Sequence, residues 1–413
     1  FNVLDVDIAI KAEKISATNE DNFSPKIMAF DIETDSLEIG KGSILMISVA
    51  SSGLKKVLTW KKFPAENYVE FCKDEADMIE KFCDYIKNEK PDVLVGYFSD
   101  GFDMPYLRAR AEKHKIKMDI SLDSSQPVFA RGRITSSRLV GIVHIDLFRF
   151  IETAYSQYLQ SETLGLNEVA LELLGEGKKE FEHKHSRDIS HDGWKSYFEY
   201  NLQDSVLTYK LAEKAWQDMA AFSRIIQEPL FEITRDRMSQ LVENYLLHNL
   251  HKFNEIAEKR PLHDEIEERR MRKKYEGAFV FQPVPALYEN LAVFDFTSMY
   301  ASIIVTHNLS KSTELEKKEK DALEVELEEH KAYFTKNPGF FSLMLNDIIN
   351  KRKKYKQEYK KNPDAMNFAR SNAYKLLANA AYGYQGFFGA RYYCIDAAAA
   401  TAASVVGAAG GSE

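Results

Sequence analysis

An apolar run before Asp295 predicts a strand that delivers this carboxylate into a turn carrying Tyr300. Farther along the chain, Lys375, Asn379 and Tyr382 follow one another at i, i+4 and i+7, which places them on one face of a helix. Phosphoryl transfer depends mainly on positioning and charge neutralisation, so it needs a carboxylate for a metal and a cation for a phosphate. The two segments together therefore predict phosphoryl-transfer chemistry.

A second and independent set of acids lies in the first half of the chain. Asp31 and Glu33 are two residues apart in an apolar strand, so both carboxylates face the same side of it. Such a pair is tolerated mainly around a cation, because the two charges repel each other. Asp103 follows another predicted strand, and Asp204 lies one helical turn after Tyr200. Each acid alone fits an ordinary surface position, but their ordered joint occurrence favours a metal site.

The segments around Asp295 and Lys375 resemble polymerase motifs A and B of family B DNA polymerases, and the similarity to archaeal replicative members is close. The upstream acids and tyrosine resemble the 3′→5′ proofreading exonuclease motifs of the same family. This resemblance implies two-metal chemistry with Mg²⁺ or Mn²⁺, in which Tyr200 orients the water that attacks during proofreading. The metal ligands that it implies are Asp31, Glu33, Asp103, Asp204 and Asp295.

The resemblance also assigns residues to nucleotide and DNA binding. It implies that Tyr300 excludes a ribose 2′-hydroxyl and that Tyr382 stacks under the nascent base pair, although outside their motifs both would be read as core packing. Arg352 and Lys375 suit a polyphosphate tail best, because a forked guanidinium and a compact ammonium complement each other there. The residues expected at the incoming deoxynucleoside triphosphate are Tyr300, Arg352, Lys356, Arg370, Lys375, Asn379 and Tyr382. The expected DNA contacts are Phe102, Tyr275, Gly277 and Gly383.

Composition limits the function classes. The chain has 413 residues, 45% of them hydrophobic, and 55 basic against 63 acidic residues give a net charge of −8, unlike a simple DNA-coating protein. Residues 351–361 are nevertheless strongly basic. Such a run is usually a solvated helix face, but its position just before Lys375 favours phosphate contact. Three cysteines without a ligand or disulfide pattern fit a reducing cytoplasm, and the absence of a long apolar run predicts no membrane partner. With the resemblance to a DNA polymerase, the expected location is cytoplasmic and nucleoid-associated.

The order of predicted elements gives the domain organisation. Alternating strands and helices predict an α/β fold, which the resemblance specifies as a ribonuclease H-like 3′→5′ exonuclease domain followed by a partial α+β palm and helical-hairpin fingers. Residues 313–331 are expected to form a mixed-charge helix, and residues 362–364 a turn between two helices. The expected segments are 1–26 (remnant of an amino-terminal domain), 27–220 (exonuclease), 221–274 (helical connection), 275–340 (first part of the palm), 341–390 (fingers) and 391–413 (start of the second palm part).

Two departures from the family pattern affect the expected activity. Phe98 stands where the second exonuclease motif of the family usually has Asn, which supports the substrate strand and its turn, so this departure concerns exonuclease strength and not the exonuclease fold. The sequence contains no Asp-Thr-Asp triplet, which supplies the second palm carboxylate in the family. Either a naturally divided polymerase or a chain whose remainder is missing fits this observation.

The resulting interpretation is a proofreading DNA polymerase acting on primer-template DNA with deoxynucleoside triphosphates. It would need a second polypeptide that carries the remaining palm and the thumb, and a sliding clamp is a further candidate partner. One rival interpretation is an exonuclease with a vestigial polymerase half. The other is a non-catalytic subunit of a replication complex, which the clustered charges oppose because a scaffold has no physical need for them.

Overall fold

The computed structural model describes residues 11–14, 23–130, 135–177, 188–272, 282, 284–292, 296 and 298–410. The chain divides into two compact units. The first comprises Phe1–Trp216 and Leu230–Arg235, and the second comprises Gln217–Pro229 and Asp236–Glu413.

The first unit is built on a mixed β-sheet. Its strands are β1 Ile27–Thr34, β2 Ile44–Ala50, β3 Lys55–Thr59, β4 Val69–Phe71, β5 Val93–Gly96, β6 Val128–Ala130, β7 Ser136–Arg138 and β8 Val143–Asp146. Six of them form one sheet in the order β4-β3-β2-β1-β5-β8, and β6 pairs with β7 in a separate hairpin. β1 pairs antiparallel with β2 and parallel with β5, so it lies inside the sheet at the change from antiparallel to parallel pairing.

Helices α1, α2 and the first part of α5 pack against this sheet. The helices along this part of the chain are α1 Glu75–Glu89, α2 Asp103–His114, α3 Leu147–Ala154, α4 Leu166–Leu174, α5 Gly193–Ile226, whose residues after Trp216 belong to the second unit, and α6 Leu230–Ile233. Asp74 caps the start of α1, because its side chain accepts a hydrogen bond of 2.9 Å from Asp77 N. The alternation of strands and helices confirms the predicted α/β fold.

The core of the first unit fixes which way the side chains of β1 point. Met28, Phe30 and Ile32 are at most 5% exposed and belong to one apolar cluster with residues of α1 and α2. Because successive side chains of a strand alternate between its two faces, Asp31 and Glu33 lie on the opposite face. Burial of the apolar alternate positions therefore determines where the two carboxylates emerge.

The second unit contains a helical hairpin. Its helices are α7 Met238–Asn249, α8 His263–Met271, α9 Met299–His307, α10 Phe340–Lys361, α11 Ala365–Gly386 and α12 Ile395–Gly410, with a 3-10 turn at Leu250–Phe253. α10 and α11 pack along each other, which confirms the predicted turn at residues 362–364. Asp364 caps α11 by accepting a hydrogen bond of 2.8 Å from Asn367 N. None of the helices that the structure describes is long and apolar enough to cross a lipid bilayer.

The predicted helix over residues 313–331 is wrong. This stretch contributes to a three-stranded antiparallel sheet of β9 Glu314–Leu315, β10 Leu323–Glu326 and β11 Lys331–Phe334. Leu323 and Val325 alternate with glutamates and pack against an apolar cluster that includes Phe334 and Leu309. Alternation with a period of two buries one face of a strand, and here it outweighs the helix propensity of the lysines and glutamates.

Candidate active sites

Three carboxylates converge in the first unit. Asp31 and Glu33 come from β1, and Asp204 comes from the facing helix α5. Among the described residues, one oxygen from each of these three side chains lies within 4.8 Å of the others. We call Asp31, Glu33 and Asp204 the carboxylate cluster. The structure thus brings together three of the acids that the sequence predicts as metal ligands.

Helix α5 supports the cluster with two more side chains. Asn201 Nδ2 donates a hydrogen bond of 2.8 Å to Asp31 Oδ2, and the Tyr197 hydroxyl donates one of 2.9 Å to Glu33 Oε2. Tyr197, Asn201 and Asp204 are spaced i, i+4 and i+7 and therefore lie on one helical face. Burial and the neighbouring Glu33 charge raise the pKa of Tyr197, which keeps its hydroxyl protonated as a donor. Tyr197 and Asn201 are not among the residues predicted from the sequence, although their helical spacing before Asp204 carries the signal.

Tyr200 lies one turn before Asp204, as predicted, and is 8% exposed. It belongs to an apolar cluster with Leu45, Met46 and Val57, which packs α5 against β2 and β3. The phenol that donates to Glu33 is that of Tyr197. The expected role of Tyr200 in orienting water stays a prediction.

Asp103 is the first residue of α2 and lies beside the carboxylate cluster. Its Oδ1 accepts a hydrogen bond of 3.3 Å from Ile32 N, the amide between the two β1 carboxylates. Only 4% of Asp103 is exposed. Burial raises the pKa of Asp103, and the charges of Asp146 and Asp204 raise it further. The four predicted exonuclease acids therefore gather in one place and repel one another.

This arrangement fits a divalent cation. Carboxylate oxygens are the donors that Mg²⁺ and Mn²⁺ prefer, and a bound cation offsets the repulsion among converging negative charges. The hydrogen bonds from Tyr197 and Asn201 orient two of the carboxylates, as the outer partners of metal ligands do. The residues that would hold such a cation are Asp31, Glu33 and Asp204, with Asp103 beside them.

A buried carboxylate shapes the loop that leads to Asp103. Asp146 at the end of β8 accepts hydrogen bonds from Phe98 N at 2.9 Å and Asp100 N at 3.1 Å. Burial, with the nearby Asp100 charge, raises the pKa of Asp146 to about 7. Phe98 has a backbone φ of +61° in this loop, a conformation that Asn tolerates better than a bulky residue. The backbone of this loop therefore suits Asn, the residue expected from the family resemblance, better than the phenylalanine that this chain has.

A second buried network anchors the same loop. Asp100 is fully buried and accepts hydrogen bonds from Arg235 Nε at 2.8 Å and from Arg149 at 3.1 Å. Arg235 also donates to the carbonyl oxygen of His144 at 2.9 Å. A buried carboxylate needs such partners, because an isolated buried charge is strongly unfavourable.

Phe102 precedes Asp103 and packs partly into the protein. It lies against the apolar core, with its ring centroid 5.3 Å from that of Tyr106. Its expected contact with DNA stays a prediction.

The second unit brings together two of the predicted nucleotide-site tyrosines. The rings of Tyr300 on α9 and Tyr382 on α11 stack with centroids 4.4 Å apart and planes 20° apart. Near them, Arg352 on α10 donates a hydrogen bond to Ser298 Oγ, just before α9. The predicted polymerase motifs A and B thus contribute to one local arrangement of α9, α10 and α11.

The remaining predicted residues of this unit lie along α10 and α11. Arg370 places its guanidinium 5.4 Å from the ring centroid of Tyr355. Lys375 is half-buried, and Lys356, Asn379 and Gly383 are exposed. A Cβ built on Gly383 meets no atom within 4 Å, so the surface beside this residue is open. Asp295, Tyr275 and Gly277 lie outside the described residues.

The sheet order and the carboxylate cluster together define the first unit as a ribonuclease H-like exonuclease domain. The sequence matches "DNA polymerase family B, exonuclease domain" over residues 2–169 and "DNA polymerase family B" over residues 229–405. The chain therefore belongs to DNA polymerase family B.

Relatives and solved structures agree with this assignment. The chain is 35% identical to a DNA polymerase of Pyrococcus glycovorans over 388 residues, covering 90% of this chain and 48% of that protein. It is 33% identical to DNA polymerase 1 of Pyrococcus abyssi over 394 residues, covering 92% and 50%. The structure of the family B DNA polymerase from the archaeon Pyrobaculum calidifontis matches with a TM-score of 0.72 and 29% identity, covering 94% of this chain and 51% of that one. The chain thus spans about half the length of these relatives.

Proposed function

We propose that the first unit removes nucleotides from the 3′ end of single-stranded DNA by metal-dependent hydrolysis. The observation that carries this proposal is the convergence of Asp31, Glu33 and Asp204 within 4.8 Å. Asp31 and Glu33 lie in the part of the chain that matches the family's exonuclease domain. The reaction class is phosphodiester hydrolysis, which needs a nucleophilic water and neutralisation of charge on the phosphate.

The residues of this chain have separate roles in the proposed reaction. Asp31, Glu33 and Asp204 hold the divalent cations, Mg²⁺ or Mn²⁺, which supply charge neutralisation and activation of water when bound. Asn201 and Tyr197 keep Asp31 and Glu33 oriented through their hydrogen bonds. Asp103 completes the set of acids beside the cluster, and Tyr200 is the proposed partner of the attacking water.

The test is hydrolysis of an oligonucleotide labelled at its 5′ end. With Mg²⁺ or Mn²⁺ the parent chain should produce a ladder that shortens from the 3′ end, and EDTA should stop it. Asp31→Ala should abolish the ladder, whereas Asp84→Asn, which changes an exposed acid on α1, should leave it intact. An Asp31→Ala chain that digests DNA as fast as the parent would refute the assignment.

For the second unit we propose a part in template-directed addition of deoxynucleotides during DNA replication. The stacked Tyr300 and Tyr382 would face the sugar and the nascent base pair, and Arg352, Lys356, Arg370, Lys375 and Asn379 would contact the triphosphate. The proximity of α9, α10 and α11 around the tyrosine pair supports this assignment. The DNA contacts proposed for the chain as a whole are Phe102, Tyr275, Gly277 and Gly383.

We further propose that DNA synthesis requires carboxylates beyond Asp295. Two-metal nucleotide transfer places acids on both sides of the ions, and the family's second palm acid belongs to the Asp-Thr-Asp triplet absent from these 413 residues. The missing palm and thumb would come from further polypeptide, either continuous with this chain or separate.

Primer extension tests this requirement. The 413-residue chain alone should not extend a primer, and addition of a polypeptide carrying the triplet and thumb should restore synthesis. Extension by the chain alone, with no contaminating polymerase, would show that the active site is misplaced.

A further inference from the structure

Phe98 occupies a strained position that the surrounding loop fixes tightly. Its backbone φ of +61° is uncommon for a bulky residue. Asp146 holds this turn by accepting hydrogen bonds from Phe98 N and Asp100 N. The Phe98 carbonyl oxygen in turn accepts from Gly101 N at 3.0 Å and Phe102 N at 3.1 Å. The ring of Phe98 is therefore presented on a rigid support.

The ring of Phe98 is exposed, whereas the ring of the neighbouring Phe102 is half-buried. Phe98 remains 42% exposed, whereas Phe102 packs against the core. The outer atoms of the Phe98 ring abut Gly101, where a Cβ would lie only 2.4 Å from Phe98 Cζ. Phe148 meets the ring edge-on, with centroids 5.5 Å apart and planes at 84°. Burial alone therefore does not account for a large aromatic side chain at this position.

The loop that carries the exposed ring leads directly into Asp103. Gly101, which the ring touches, is two residues before Asp103. The Asp103 carboxylate accepts a hydrogen bond from Ile32 N, between Asp31 and Glu33 on β1. One short loop thus carries both the ring and an acid of the exonuclease site.

We propose that Phe98 is a stacking platform for a base at or next to the 3′ end of the single strand in the exonuclease site. This inference rests on the proposed exonuclease function and adds a DNA-binding residue to it. Single strands bind aromatic side chains by stacking, which tolerates any sequence because every base has a π-face. Such tolerance suits an exonuclease that must accept every terminal nucleotide.

Binding and hydrolysis can be measured separately. Binding of a 5′-fluorescein single-stranded oligonucleotide is followed by anisotropy with Ca²⁺ in place of Mg²⁺. Phe98→Leu, which keeps an apolar side chain, should weaken binding about 5- to 150-fold. Phe98→Asn, which relieves the backbone strain, should weaken it similarly, since the ring and not the backbone makes the contact. Phe71→Leu is the matched control, because Phe71 is also 42% exposed but lies on β4. The affinity of the Phe71→Leu chain for the oligonucleotide should equal that of the parent.

Oligonucleotides with an abasic site identify the stacked base. An abasic site at the last or next-to-last position should weaken binding to the parent chain but not to Phe98→Leu. In Mg²⁺, Phe98→Leu should raise KM for intact DNA and leave kcat unchanged.

Unchanged affinity of both Phe98 variants, or an abasic effect of equal size in parent and variant, overturns the stacking proposal. These outcomes are distinct from failure of the exonuclease proposal. A parent chain that binds through Phe98 yet does not hydrolyse DNA would refute the exonuclease and leave the stacking contact in place.

Discussion

Replacement of Tyr197 by phenylalanine tests how the carboxylate cluster is held. The change deletes the hydroxyl that donates to Glu33 Oε2 at 2.9 Å and keeps the ring, whose centroid lies 5.8 Å from that of Trp194. A hydrogen bond to a charged acceptor is worth roughly 1.5–3 kcal/mol. Loss of such an outer partner of a metal ligand typically costs about 10- to 100-fold in metal affinity or activity. We therefore expect Tyr197→Phe to slow 3′ hydrolysis about 10- to 100-fold at limiting Mg²⁺.

The assay is a titration of hydrolysis rate against Mg²⁺ concentration. The defect should shrink as Mg²⁺ approaches saturation, because the Tyr197 hydroxyl positions a ligand and does not touch the scissile phosphate. Tyr85→Phe is the matched control, since the Tyr85 hydroxyl donates to Glu70 Oε2 at 2.8 Å between α1 and β4. Identical Mg²⁺ curves for the two variants would refute the reasoning.

Three further predictions concern stability and sugar selection. Arg235→Leu should lower the free energy of unfolding, measured in urea, by about 3–5 kcal/mol, because it removes a charge partner of the buried Asp100. Arg108→Leu breaks an exposed ion pair and should lower it by at most about 1 kcal/mol. Equal losses in the two variants would contradict this prediction. Burial alone would raise the pKa of Glu75, but hydrogen bonds from Arg110 and other partners outweigh burial and lower this pKa in the folded protein. Ionised Glu75 therefore stabilises the fold at every pH above its pKa in the unfolded chain. This stabilisation is lost as the pH falls through the pKa of Glu75 in the folded protein. The difference in free energy of unfolding between the parent and Glu75→Gln should therefore be smaller at about pH 3 than at about pH 7, and a constant difference would contradict this prediction. Tyr300→Ala, in a polypeptide that includes the remaining palm, should raise the ratio of ribonucleotide to deoxynucleotide incorporation more than it slows deoxynucleotide addition, and an unchanged ratio would refute the sugar-selecting role.

The sequence predicts correctly that Asp31 and Glu33 share one face of β1, because the strand periodicity is strong there. Ile32 must enter the core, so its neighbours Asp31 and Glu33 must emerge together on the other face of β1. Local patterns of this kind are sufficient wherever one face of an element is fully buried.

Features that depend on tertiary contacts could not be predicted from the sequence. The helix expected at residues 313–331 is a set of strands because Leu323 and Val325 find a buried surface on that side of the chain. Tyr197 and Asn201 were missed because their role appears only when α5 faces β1. The left-handed backbone conformation of Phe98 could not be predicted from the local sequence either, because it is fixed by hydrogen bonds from Phe98 N and Asp100 N to Asp146, which is distant in sequence.

The most direct test of the central claim is a crystal structure of the chain soaked with Mn²⁺, examined by anomalous scattering. We expect an anomalous peak between the carboxylates of Asp31, Glu33 and Asp204, and its loss in the Asp31→Ala variant. Absence of a peak there in the parent chain at saturating Mn²⁺, or an unchanged peak in the variant, would contradict the account.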